Sequence, residues 1–288
     1  MKTMSAAISP SKPLGRTDQV SILPAYIRAQ GRLSLQVERG AFKSTIADLY
    51  EAGGYRLKFP RADRLEATIV NTGGGMAGGD HLHFDLAMAE QTSMVVSTQS
   101  AEKIYRADAG ASCINLDVSV NEGASLFWIP QESILFDGAK FKRSMRVSLA
   151  PHARFAAFEG FVFGRQAMGE QLRSVSIEDD WMIRRDDRLI FAERLRLTGD
   201  VASHLARAAL GAGARMTATC VYVAPDAEAR IGEARALFDH YEGHWGVSAW
   251  NGLLCIRMLD SAPARLRQQG ISFLQSFFGL TLPRVWQC

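Results

Sequence analysis

The chain has 288 residues, of which 47% are hydrophobic and 22% charged. That length predicts one or two domains and that composition a sizeable core, which excludes a mostly disordered, collagen-like or small disulfide-stapled protein. Lys plus Arg number 33 against 30 Asp plus Glu, a formal charge of +3, too balanced for a nucleic-acid binder built on a basic stripe.

Residues 1–24 hold Pro10, Pro13 and Pro24 and lack both a signal-peptide core and a membrane-length apolar run. They predict a loose tail ahead of a single domain over 25–288. The four cysteines, at 113, 220, 255 and 288, form no C-x-x-C pair. They predict unpaired thiols in a reducing, cytoplasmic compartment, with neither a zinc knuckle nor a thioredoxin-like motif.

From about 30 to 200 the dominant signal is alternation with period two, the mark of strands. Leu33, Leu35 and Val37 alternate with polar residues, as do Leu82, Phe84, Leu86 and Met88. Further runs fall at 94–98, 114–120, 124–129, 145–149, 155–163, 174–178 and 189–197, punctuated by turns such as Asn121-Glu122-Gly123. The fold class expected is mainly β, a large multi-stranded body to about 210. After it comes an α+β lobe over about 211–288, continuous with the body. In that lobe strands are expected at 216–224, 245–250 and 252–259, the last two joined by the hairpin signal Asn251-Gly252. Helices are expected over 226–240, capped by Asp226, and over 263–278, with Leu266, Ile271, Leu274, Phe277 and Phe278 on the apolar side.

Gly73-Gly74-Gly75-Met76-Ala77-Gly78 satisfies G-x-G-x-x-G. A dinucleotide site needs a helix after the glycines, whereas Asp80 to Leu86 alternates as a strand. The stretch therefore reads as a glycine-rich hairpin or bulge, or as a close-packed loop at a functional surface. No P-loop, G-x-S-x-G or H-E-x-x-H is present.

Three glutamates each interrupt an apolar row. Glu159 falls among Phe155, Ala157, Phe161 and Phe163; Glu193 among Leu189, Phe191, Leu195 and Leu197; Glu132 among Leu126, Trp128, Pro130, Ile134 and Phe136. A carboxylate aimed into an apolar layer needs a cationic partner, a metal or a wet cavity. Three readings follow: internal salt bridges with Arg165, Arg194 or Arg196, a water-filled metal route, or an acid–base pair of the kind a glycoside hydrolase uses. His81 and His83 share a strand face, as half a metal site or as solvated polar residues. His240 and His244 are four apart, but Gly243 stands where a helix should end.

Several longer stretches occur in a telling order. They are Asn71-Thr72-Gly73-Gly74-Gly75-Met76-Ala77-Gly78-Gly79-Asp80, Thr98-Gln99-Ser100-Ala101-Glu102-Lys103-Ile104-Tyr105-Arg106, and Trp128-Ile129-Pro130-Gln131-Glu132-Ser133-Ile134-Leu135-Phe136-Asp137-Gly138-Ala139. After them come Phe163-Gly164-Arg165, Ala167-Met168-Gly169-Glu170, Glu193-Arg194-Leu195 and Leu282-Pro283-Arg284-Val285-Trp286. With these, from about residue 30 to 286, the chain resembles the UreD family of urease accessory proteins, called UreH in some organisms.

The resemblance implies a non-enzymatic chaperone that forms a complex with UreF and the GTPase UreG. The complex docks on urease apoprotein and guides nickel, supplied by UreE, into its active site. It implies an internal tunnel whose acidic lining would include Asp80, Glu159 and Glu193, with Glu132 carried over less directly. No tightly bound cofactor is implied, only transient nickel(II). Carboxylates suit transit, because imidazole or thiolate clusters would hold Ni²⁺ more firmly. The apolar end of the chain, through Phe277, Phe278, Arg284 and Trp286, is expected either to help bind UreF or to pack within the chain.

Overall fold

The computed structural model describes residues 28–108 and 110–287; the expected N-terminal tail lies outside the described residues. In chain order the first strands are β1 (Gln30–Arg39), β2 (Ser44–Ala52), β3 (Tyr55–Lys58), β4 (Leu65–Asn71), β5 (His81–Met88), β6 (Ser93–Thr98), β7 (Glu102–Ile104), β8 (Ser112–Val120) and β9 (Ser125–Trp128). There follow β10 (Ser133–Leu135), β11 (Lys140–Leu149), β12 (Arg154–Phe163), β13 (Val175–Arg185), β14 (Arg188–Gly199), β15 (Met216–Val223), β16 (His244–Trp250) and β17 (Leu253–Asp260). The helices are α1 (Val201–Ala206), α2 (Ile231–Ala236) and α3 (Pro263–Phe278).

These strands form two sheets. Sheet 1 runs β14-β13-β11-β8-β5-β1-β2, and sheet 2 runs β16-β17-β15-β12-β9-β6-β4-β3, with β10 and β7 attached beside β12. From β4 to β9 and on through β11, β12 and β13, the chain alternates between the sheets, apart from the short β7 and β10. Neighbours in each sheet are therefore parallel through this region. A parallel pair needs a crossover, and here the crossover is a strand of the other layer. Antiparallel pairs finish the edges, at β1–β2, β3–β4, β13–β14 and β15–β17–β16.

The period-two rows explain the layering. Leu33, Leu35 and Val37 meet Phe84, Leu86 and Met88 in a core between the sheets. A second core lies on the far face of sheet 2, where α3 contributes Leu266, Phe273, Leu274 and Phe277. Sandwiched this way, β12 is buried on both faces except at Arg154. The strands expected at 216–224, 245–250 and 252–259 extend this same sheet 2.

Asn251 and Gly252 take positive φ, 53° and 71°, at the β16–β17 hairpin. Helix α3 covers the expected residues. Pro263 occupies its first turn and Gly279, at φ 58°, ends it in the left-handed region.

Other expectations change. The helix expected over 226–240 shrinks to a 3₁₀ turn at Glu228–Arg230 and the short α2. Asp226 does not cap it: its carboxylate accepts from Arg154 Nη1 at 2.9 Å and from the Tyr222 hydroxyl at 3.0 Å. The row 126–136 is not one strand. β9 ends at Trp128, Pro130 follows, and β10 resumes with Ser133 and Leu135 inward, so Glu132 leaves the inner row. Leu189 also leaves its row, because the β13–β14 register shifts beyond Ile183 and turns it outward, 44% exposed.

Candidate functional site

Between the two sheets, where the main core gives way to a smaller one, lies a buried ionic cluster. β11 supplies Arg143 and β13 supplies Asp179, which are directly paired in register. β12 supplies Glu159 from the opposite sheet. Arg143 Nε and Nη2 donate to the two Asp179 oxygens at 2.8 and 2.7 Å, and Nη1 donates to Glu159 Oε2. Indole N–H groups complete the set: Trp128 donates to Glu159 Oε1 at 2.7 Å and Trp181 to Asp179 Oδ1 at 3.0 Å. The guanidinium carbon also lies 4.9 Å from the Phe161 ring centre and 5.9 Å from that of Trp181.

All three charged side chains are at most 8% exposed. Burial opposes the charge on Arg143, but the two carboxylates outweigh it and keep the guanidinium protonated. Burial pushes the Glu159 carboxyl up, against the pull of Arg143 and the Trp128 N–H, and Asp179 adds to the rise. Of the three readings of the flagged glutamates, the structure places Glu159 in an internal salt bridge, but through Arg143 rather than Arg165, Arg194 or Arg196. Arg165 pairs with Glu170 and Arg194 with Asp180.

The cluster does not end in packed core. A cavity of about 270 Å³ runs from Arg143, Glu159 and Asp179 to Glu193 and Arg257. Leu195, Leu197, Leu205 and Leu259 are among its apolar walls. Glu193, on β14, accepts from Arg257 Nη2 of β17 at 2.5 Å. This outer pair is more open than the inner one, with side chains 23% and 56% exposed. The cavity thus joins two acid–arginine pairs, one buried and one near solvent. Glu159 and Glu193 are brought together along it; Asp80 and Glu132 are not part of its lining.

Asp80 is buried elsewhere, at the start of β5. Its oxygens accept from the amides of Ala29 at 2.8 Å and Ala77 at 2.7 Å, tying the glycine stretch to the head of β1. That stretch is a close-packed loop. Met76 bridges to Ile104, and a Cβ at Gly75 would stand 2.4 Å from the Tyr105 ring. Beside it Asn71 Nδ2 reaches Glu102 Oε1 at 2.9 Å and the Gly75 carbonyl at 3.1 Å. Burial pushes Glu102 up to about 7; the Asn71 hydrogen bond and Lys103 oppose this, and nearby Asp80 adds to it. Tyr55 is raised as well, by burial first and then by Glu102 and Asp80.

Glu132 has an arginine too. Arg267 of α3 donates to it at 2.7 Å, with that guanidinium carbon 4.8 Å from the centre of the Trp286 ring system. Trp286 is buried and donates to Ser97 Oγ at 3.1 Å and the Ile129 carbonyl at 3.0 Å. Phe277 is buried against sheet 2 and Phe278 half-buried, leaving Arg284 exposed among the four expected partner contacts. Phe277 and Trp286 are therefore core residues of this chain, because the α3 stripe they extend covers the outer face of sheet 2.

His81 is exposed, and His240 and His244 do not share a helix, since His244 opens β16. His83 bonds Asp85 at 2.9 Å and, with Asp117, makes the one group of three or more His, Cys, Asp or Glu among the described residues whose potential ligand atoms lie within 4.8 Å of one another.

Sequence reasoning missed Arg143 and Asp179, both for the same reason. The strands were expected at 145–149 and 174–178, whereas β11 begins at Lys140 and β13 continues to Arg185. Extended to those limits, the rows read Phe141, Arg143, Met145, Val147 and Val175, Ile177, Asp179, Trp181. Each is an apolar row with one charge, the same signal that singled out Glu159. Glu102 was missed because its strand is only three residues long.

The UreD urease accessory protein family model matches residues 29–287. A urease accessory protein UreD of Azorhizobium caulinodans is 44% identical over 265 residues, covering 91% of this chain and 98% of the relative. One from Xanthobacter autotrophicus is 43% identical, covering 90% of each chain. One from Rhodopseudomonas palustris is 39% identical over 95% of this chain and 96% of its own. With a match that spans both sheets and the helices behind them, the chain belongs to the UreD family of urease accessory proteins.

Proposed function

We propose that this chain is a non-enzymatic chaperone of urease maturation that works in a cytoplasmic complex with UreF and the GTPase UreG. The complex docks on urease apoprotein and guides nickel delivered by UreE toward the active site. Nickel passes through the interior of this chain along carboxylates, without a resident cofactor and without nucleic acid or membrane. The observation that carries this reading is the cavity joining Glu159 to Glu193 between the two sheets. A sandwich core normally closes on itself; here it leaves a cavity whose largely apolar walls carry three acids and two arginines. Oxygen ligands hold Ni²⁺ less firmly than imidazole or thiolate sets do, so a cation meeting them can move on.

The alternative of a hydrolase with paired carboxylates is disfavoured by what Glu159 and Asp179 touch. Both are committed to the same guanidinium and to indole N–H groups. The test is reconstitution of urease apoprotein with UreF, UreG, UreE and this chain carrying Glu159→Gln and Glu193→Gln. Nickel per active site should fall while the accessory complex still assembles. Full nickel incorporation by the double variant would remove the passage from this account.

A further inference from the structure

The arginines of the cavity are as telling as its acids. Glu159 is covered by Arg143 and Glu193 by Arg257, each from a strand of the opposite sheet. The two guanidinium groups face three carboxylates, because Asp179 shares Arg143. The cavity wall therefore carries one more acidic than basic group. The inner cluster is also unequal in its bonding. Arg143 grips Asp179 with two N–H groups but reaches Glu159 with one. Glu159 is held independently by Trp128 on its other oxygen, so it stays aimed inward whether or not Arg143 remains on it. A planar guanidinium is well matched to a fork on one carboxylate, and the single link to the second is the separable one.

We infer that Arg143 and Arg257 are internal stand-ins for a divalent cation: each occupies its glutamate while the passage is empty and yields it to a dication that enters. The inference rests on the passage reading above and adds a role for two residues which that reading does not use. A bare pair of buried carboxylates would either take up a proton or hold a dication too well. An arginine beside each supplies the counter-charge when no metal is there. It also repels the dication once bound, which favours release. The occupant is a hydrated, oxygen-preferring or borderline dication.

The test is a titration of the full-length chain with Ni²⁺ by calorimetry and with Co²⁺ by visible absorption. Arg257→Gln is the primary variant, because its side chain is 56% exposed, against 5% for Arg143. It should bind the dication about tenfold more tightly than the wild type, equivalent to about 1.4 kcal/mol. Adding Glu193→Gln should abolish that gain. Any binding at His83, Asp85 and Asp117 is common to all variants and drops out of the comparison. Arg143→Gln, where it folds, should show a gain that Glu159→Gln removes. Equal affinity in wild type and Arg257→Gln, or a gain that survives Glu193→Gln, overturns the inference.

The two readings fail separately. If Arg257→Gln binds no tighter but Glu159→Gln with Glu193→Gln blocks nickel transfer, the passage stands and the stand-in role falls. If the affinity gain appears but that double variant transfers nickel fully, the competition is real and the passage is not.

Discussion

Arg143 and Asp179 are register partners on adjacent parallel strands and meet fork to fork, at 2.8 and 2.7 Å. The pair ties β11 to β13 within sheet 1, and the third link, to Glu159, ties sheet 1 to sheet 2. A single guanidinium therefore joins three strands across two layers.

Its removal should be costly. Arg143→Met leaves two carboxylates buried with no cation between them, and we expect a loss of about 3–5 kcal/mol in urea denaturation. Combining it with Glu159→Gln and Asp179→Asn should recover much of that loss, because the uncompensated charges are gone. A triple variant no more stable than Arg143→Met alone would contradict this account.

The glycine stretch gives a sharper contrast. Gly74→Ala meets no atom within 4 Å, so only its φ of 71° opposes the change, at about 1–2 kcal/mol. Gly75→Ala would place its Cβ 2.4 Å from Tyr105 and 2.8 Å from the Lys103 carbonyl oxygen, against ring and backbone together. Thermal melts should show the second variant clearly less stable than the first.

Glu102 gives a pH dependence of defined sign. Its pKa rises from 4.5 to about 7 on folding. The stability associated with its bound proton is fully present below pH 4.5 and is lost as pH rises through about 7. Glu102→Gln, which cannot ionise, should gain stability relative to the wild type between pH 5 and pH 8. Parallel melting curves for the two proteins across that range would miss this trend altogether if the site were wet.

Truncation before Pro263 removes Leu266, Phe273, Leu274 and Phe277 from the outer face of sheet 2. Exposing that much apolar sheet should make the shortened chain aggregate rather than survive as a folded monomer. A soluble, cooperatively melting product by light scattering and calorimetry would show that α3 is dispensable to the fold.

Much of the layering was legible in the residues, because sandwich strands alternate and α3 carries both of its end signals. Glu159 was legible for the same reason: one acid in a row of Phe and Ala. Its partner was not, because Arg143 lies sixteen positions earlier, on a strand of the other sheet. Local pattern shows which way a charge points but not what meets it across a core. Glu132 misled for a different reason. The apolar row around it is continuous in sequence, yet Pro130 interrupts the ladder and shifts the face, a break that period-two counting does not detect.

The alternation of strands between sheets has a consequence for synthesis. β11, β12 and β13 are successive windings, and each contributes one member of the ionic cluster, in the order Arg143, Glu159, Asp179. A chain leaving the ribosome presents the cation first, then the acid from the facing layer, then the acid beside it. In order of synthesis the cation therefore precedes both of the carboxylates it pairs with.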